Sequence, residues 1–164
     1  MSGSFVVTDG EEFIEIFAMP VPKKAAEKRV SFVAVVELLS DIKRRFGNLP
    51  VFLERAKPMA MGSRFAFNYG RDFEKLVIAL SNLGFTVTQV EPSKWAREMH
   101  QGISDQFRPK AKSMVAVQKL YPRLVPKMPA KRNGALQDGP VDALLLAGYG
   151  LRKQAEYANC EDFF

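Results

Sequence analysis

The apolar positions of this chain fall into two alternating rhythms, one of period two and one of helical period. Residues 4–9, Ser-Phe-Val-Val-Thr-Asp, predict a strand, and Asp9-Gly10 is a hairpin turn signal. A second strand is expected over about 12–18, where Phe13, Ile14, Ile16 and Phe17 are apolar. Pro20, Pro22 and the charged run 23–29 then read as an exposed loop. Ser31 is placed to cap a helix running to about residue 46, with Phe32, Val35, Val36, Leu39 and Ile42 on one face and Gly47 as its stop. Pro50-Val51-Phe52-Leu53 has the continuous apolar character of a buried strand.

A stretch rich in Met and Gly leads to a second helix over about 68–83. Phe73, Leu76, Val77 and Leu80 recur there at helical spacing, and Gly84 ends it. Residues 85–90 alternate as a strand does, and short helices fit 92–100 and 109–121. A Pro-rich basic loop, 122–137, precedes a last helix over about 139–153. The order β-β-α-β-α-β-α-α-α predicts one α/β domain, residues 1–164, built on a mixed sheet: a hairpin, then parallel strands joined by helices.

Composition narrows the chemistry. At 164 residues with 47% apolar and 26% charged residues, the chain suits a single folded core. No apolar run approaches the roughly 18 residues of a membrane span, and the first residues lack the pattern of a secretory signal. Cys160 is the only cysteine, so no internal disulfide forms and a reducing compartment fits. One His and one Cys exclude a zinc centre of the usual His/Cys kind, so any metal would be hard and held by oxygen.

The net charge of +6 is concentrated. Residues 106–137 carry no acid and eight basic residues: Arg108, Lys110, Lys112, Lys119, Arg123, Lys127, Lys131 and Arg132. Sixteen basic and eighteen acidic residues remain elsewhere, so the whole positive excess lies in this segment. A solvated basic face is one reading. Attraction for a polyanion gains ground where acids lie next to such a run, because phosphates must be drawn toward charges that repel them.

Those acids are Glu54, Asp138 and Asp142. Glu54 closes a strand, and in open α/β sheets ligands collect beyond strand carboxyl ends; a solvated strand-end acid is the ordinary alternative. Asp138 and Asp142 are four apart, hence on one helix face. They read equally as acids favoured at a helix start, with Asp138 as N-cap and Pro140 in the first turn. The loop between Glu54 and the second helix holds Arg55, Lys57, Met59, Met61, Arg64 and Phe65. Cations for phosphates and apolar side chains that wedge between unstacked bases are the parts of a binder of distorted DNA. Trp95 reads as core, and His100 as a surface residue rather than a proton shuttle.

Taken in order, Glu54-Arg55, the Met/Gly-rich loop, Phe67-Asn68-Tyr69-Gly70-Arg71, Leu83-Gly84, Pro92-Ser93-Lys94-Trp95, Lys112-Ser113-Met114-Val115-Ala116, Leu120-Tyr121-Pro122 and Asp138-Gly139-Pro140-Val141-Asp142-Ala143 resemble the RuvC-like Holliday junction resolvases, most of all their viral and phage branch. The likeness runs over about residues 3–150. It implies an RNase H-like fold of the ribonuclease H superfamily, a mixed sheet flanked by helices. It further implies a homodimer that uses magnesium or manganese, held by four acids, to nick opposed strands of a four-way junction, leaving 5′-phosphate and 3′-hydroxyl ends.

By that resemblance Glu54 is the second acid, Asp138 and Asp142 are the closing pair, and the three are both catalytic and metal-binding. The loop 55–65 enters the junction, and the helix over 68–83 builds much of the dimer interface. Phosphate contacts are expected from Arg55, Lys57, Arg64, Lys110, Lys112, Lys127, Lys131 and Arg132, and wedging from Met59, Met61 and Phe65. A virus-encoded protein of this kind would work in the host cytoplasm or nucleoid.

One element departs from the family. The first acid sits in a Gly-Ile/Leu-Asp-Pro-Gly strand end that does not occur here. Residues 1–10 look like the continuation after it, with Asp9 as the hairpin turn rather than the missing ligand. The expectation is therefore an upstream start, with the first central strand absent from this form and activity impaired. Two alternatives remain at this point: a junction-binding protein that does not cleave because the first Asp is missing, and, more remotely, another RNase H-like nuclease or a transposase-like activity.

Overall fold

The computed structural model describes residues 3–21, 30–55 and 63–161, with side chains described for all of these except 63–65 and 159–161. Its elements follow the predicted order: β1 (Ser4–Thr8), β2 (Ile14–Ala18), α1 (Phe32–Phe46), β3 (Val51–Glu54), α2 (Ser63–Asn82), β4 (Val87–Val90), α3 (Pro92–Met99), α4 (Pro109–Leu120), a single 3-10 turn (Val125–Lys127) and α5 (Asp138–Glu161). Two bounds differ markedly from expectation. Helix α2 begins five residues earlier than the apolar repeat suggests, and α5 runs eight residues further. No helix among the described residues is long and apolar enough to cross a membrane.

The single mixed sheet does not form among the described residues. Instead β1 pairs with β2, and β3 with β4, as separate two-stranded sheets. Strand partnership is a long-range property, and period-two alternation says only that a strand exists.

The chain divides into two compact units. One spans residues 19–89; the other combines residues 3–18 with Val90 onward. In the first, Ser31 caps α1: its side chain accepts a hydrogen bond from the Ala34 N–H at 3.4 Å. Gly47, at φ +79°, closes the helix by donating its N–H to Lys43 O at 2.9 Å. Val35, Leu39 and Ile42 are buried on one face of α1, while Leu76, Ala79 and Leu80 are buried on α2, and the two helices pack together. Asp72 of α2 is 4% exposed, and Lys75 bridges it at 3.1 Å while donating to Val30 O at 2.9 Å. The sheet edge is anchored where the Val51 N–H donates to Thr86 O at 2.8 Å.

In the second unit, β1 and β2 are antiparallel, with Val6 opposite Ile16 and Thr8 opposite Ile14. The turn between them is the one expected of Asp9. Its Oδ1 accepts from the backbone N–H groups of Glu11 (2.9 Å), Glu12 (3.1 Å) and Phe13 (2.9 Å), and these bonds hold the carboxyl below its usual range. Gly10, at φ +82°, turns the chain where a Cβ would press on Leu151 at 2.8 Å. The core of this unit is built on α5, whose Val141, Leu144 and Leu145 are fully buried and which packs on β1, α3 and α4. Trp95, Met99, Ala116, Val117 and Leu124 complete it, so Trp95 is core as predicted.

Candidate functional site: the start of helix α5

Helix α5 brings two predicted site acids together. It begins at Asp138, and the carbonyl of the preceding Gln137 accepts the Val141 N–H at 3.3 Å. Asp138 is thus the first helical residue rather than the cap. Its carboxylate is gripped by two lysines: Lys131 Nζ lies 2.8 Å from Oδ1, and Lys110 Nζ lies 3.2 Å from Oδ2. The Lys131 hydrogen bond, with a smaller contribution from Lys110, holds the Asp138 carboxyl below its ordinary value.

One turn on, Asp142 is half-buried against α4. Burial pushes its carboxyl up, and the charge of Asp138 adds to that push. A hydrogen bond from Ser113 and the nearby charges of Lys110 and His100 work in the opposite direction. Ser113 is itself buried, 5% exposed, and its Oγ lies 3.2 Å from His100 Nε2. His100 sits just past α3, edge-on to Trp95 with ring centroids 6.0 Å apart, and burial followed by the Lys112 charge lowers its basicity. His100 is half-buried, with one edge of its imidazole against Ser113.

The third predicted acid, Glu54, ends β3 in the other unit and is half-buried. Its charge reaches Tyr69 of α2, whose hydroxyl is pushed up first by burial and then by Glu54. Among the described residues no group of three or more His, Cys, Asp or Glu side chains converges to hold a metal ion. The Asp138–Asp142 pair taken alone fits a hard divalent cation. Both donors are carboxylate oxygens on one helix face, the donor type a hard cation takes, while burial first and the Asp138 charge second raise Asp142.

The predicted phosphate-binding cations are largely engaged. Lys110 and Lys131 hold Asp138, Lys112 pairs with Asp105, and Lys127 donates to Glu12 O, where Arg123 also bridges the Glu12 carboxylate at 2.9 Å. Arg55 and Arg132 are exposed. Lys57, Met59 and Met61 lie outside the described residues, as do the side chains of Arg64 and Phe65.

Two residues beside the acids were given no role by the sequence reading, Ser113 and Tyr69, and His100 was read only as a surface residue. Ser113 left one detectable signal. It occupies an inward position of α4 beside the buried Ala116 and Val117, a polar residue in an apolar slot.

No protein-family model and no curated protein matches the chain. Solved structures do. RuvC of T. thermophilus, in complex with a Holliday junction substrate, matches with a TM-score of 0.58 at 13% identity, over 93% of this chain and 96% of that one. A Thermus thermophilus RuvC structure matches at 0.53 and 13% identity, over 94% and 97%. At that identity the likeness is one of fold alone: an α/β chain of small sheets and helices similar to RuvC.

Proposed function

We propose that this protein is a structure-selective endodeoxyribonuclease that resolves four-way and other branched DNA junctions by metal-dependent phosphodiester hydrolysis. The observation that carries this reading is the carboxylate pair at the start of α5, ringed by lysines, on a RuvC-like fold. Glu54 would join Asp138 and Asp142 as a ligand. Magnesium or manganese bound there would supply an activated water and charge relief for the leaving oxygen. The lysines of the 106–137 segment would hold phosphates without reading bases, leaving selectivity to branch shape.

The test is nicking of a labelled four-way junction with magnesium or manganese. Glu54→Gln, Asp138→Asn and Asp142→Asn should each abolish cutting and leave junction binding nearly intact. Cutting at the parent rate in any of them would remove that residue from the site.

A second reading, a junction binder that does not cut, draws on a specific observation. Beside the absence of the family's first Asp motif from this sequence, Asp138 is already satisfied by two lysines. Strongly salt-dependent junction affinity with no nicking in either metal would decide for it.

Finer parts of the proposal follow the resemblance. A homodimer would form on α2, where Phe67 (64% exposed) and Ile78 (48% exposed) border a shallow apolar groove with Gly70, Arg71 and Glu74. Membership of the viral and phage branch, and action in a host cytoplasm or nucleoid, belong to the same reading.

A further inference from the structure

We infer that Phe107 is a base-stacking residue: its exposed ring takes the face of an unpaired nucleobase in DNA, while the cations that follow it hold neighbouring phosphates. The inference deepens the proposed function and rests on branched DNA being the ligand of this face.

Residues 104–110, between α3 and the first turn of α4, are all exposed, and Phe107 keeps 46% of its surface in water. A single exposed apolar side chain needs no special account. Its surroundings set Phe107 apart. Among the described residues of the same unit, the other large exposed aromatics follow acids, Phe13 after Glu11 and Glu12, and Tyr157 after Glu156. Phe107 is followed instead by Arg108, Lys110 and Lys112, at the head of the acid-free segment 106–137. The one acid close before it, Asp105, is paired with Lys112. Lys110, on the first turn of α4, reaches Asp138 Oδ2 at 3.2 Å and so ties this turn to the carboxylate pair.

The ring is presented on a braced backbone. The Gln106 N–H donates to Ser104 Oγ at 3.3 Å, and the Phe107 N–H donates to Ser104 O at 3.3 Å. Arg108 is extended, at φ −63° and ψ 153°, the conformation favoured ahead of a proline. Its carbonyl accepts the Lys112 N–H at 3.0 Å. The Asp105–Lys112 pair fastens the turn to α4. Little backbone freedom is lost when a base lands on a ring held in this way, which keeps the ordering cost of the contact low.

The chemistry of the turn selects its ligand. A base inside a duplex has both faces covered by its neighbours, whereas an unpaired base has a face to offer. Stacking on an aromatic ring tolerates any base, and the cations beside it attract the backbone. Phe107 therefore favours strands opened at a branch point, and does so without reading sequence.

The test is equilibrium binding by the full-length protein in EDTA, so that no cutting intervenes. The probes are a labelled four-way junction, a single-stranded oligonucleotide and a fully paired duplex. Phe107→Ala should weaken binding to the junction and the single strand about 10-fold, with the duplex nearly unchanged and the salt dependence unaltered. Arg108→Ala should weaken all three and flatten the salt dependence. Phe107→Trp should keep the affinity, and the single strand should quench its indole emission against the constant background of Trp95, which is 5% exposed. Wild-type affinity of Phe107→Ala for the single strand, an equal loss on the duplex, or unquenched emission from Phe107→Trp would each overturn the inference. So would a changed oligomeric state of Phe107→Ala in sedimentation, which would assign the ring to a protein contact. Failure of the wild type to bind any of the three DNAs would end this inference and the proposed function together. Selective binding without nicking in magnesium or manganese ends the nuclease reading alone, and nicking with no binding effect of Phe107→Ala ends the stacking role alone.

Discussion

The Tyr121 hydroxyl fills the space that Gly148 leaves on α5: a Cβ built at position 148 would lie 1.7 Å from Tyr121 Oη and 2.7 Å from its ring. Tyr121 is 8% exposed, so the ring has nowhere to go without displacing core. The glycine is there for close approach, not for an unusual backbone.

Gly148→Ala should therefore destabilise the protein by about 1–3 kcal/mol, the usual cost of overpacking. Gly70→Ala is the control of opposite sign. Gly70 lies inside α2 with nothing within 4 Å of a built Cβ, so alanine should stabilise by about 0.5–1 kcal/mol through helix propensity. Urea unfolding of both variants checks the pair. Equal shifts would refute the packing argument.

Asp72 supplies a second stability test. Its carboxylate is buried beside Lys75, which also donates to Val30 O across unit 1. Asp72→Ala leaves the lysine without its charged partner and should cost about 1–3 kcal/mol. Asp72→Asn keeps an acceptor and should cost clearly less. Thermal unfolding of the two variants ranks them, and a larger loss in the Asn variant would contradict the assigned bond.

Much of this architecture was legible in order. Helix α1 and the β1–β2 hairpin advertise themselves locally, through Ser31, Gly47 and Asp9, and each signal acts within about four residues. The Asp138–Asp142 pair was legible for the same reason, since i,i+4 spacing on a helix fixes a shared face. The early start of α2 was not, because residues 63–67 fall before its apolar repeat begins. Nor was the partition into two sheets, which depends on contacts between distant segments. His100, just past α3, and Ser113, on α4, are thirteen residues apart, and no local pattern announces their contact.

The lysines on Asp138 should behave unequally. Lys131 is the larger influence on its carboxyl, at 2.8 Å against 3.2 Å for Lys110. Lys131→Ala should raise the Asp138 carboxyl further than Lys110→Ala, followed by carbon-13 NMR titration of the side-chain carboxyl. Both lysines are well exposed, so added salt should narrow the difference. A reversed order would reassign the main partner.

Asp142 sets function against stability. Its folded carboxyl lies above the ordinary value of 3.8, chiefly through burial. Between 3.8 and the folded value the native state binds more protons than the unfolded chain, so unfolding free energy falls as pH rises through that window. Above it the native state carries the full penalty of the ionised group. Asp142→Asn removes that penalty and still offers Ser113 a carbonyl acceptor. The variant should therefore be more stable than the wild type at neutral pH, and its advantage should shrink as pH falls through the window. Urea unfolding at paired pH values measures the difference, which isolates this group from others that titrate in both proteins. The same substitution is expected to abolish cleavage. A variant that is less stable at neutral pH would mean that the ionised carboxylate is a net structural asset, satisfied by Ser113 and Lys110 beyond the cost of its burial.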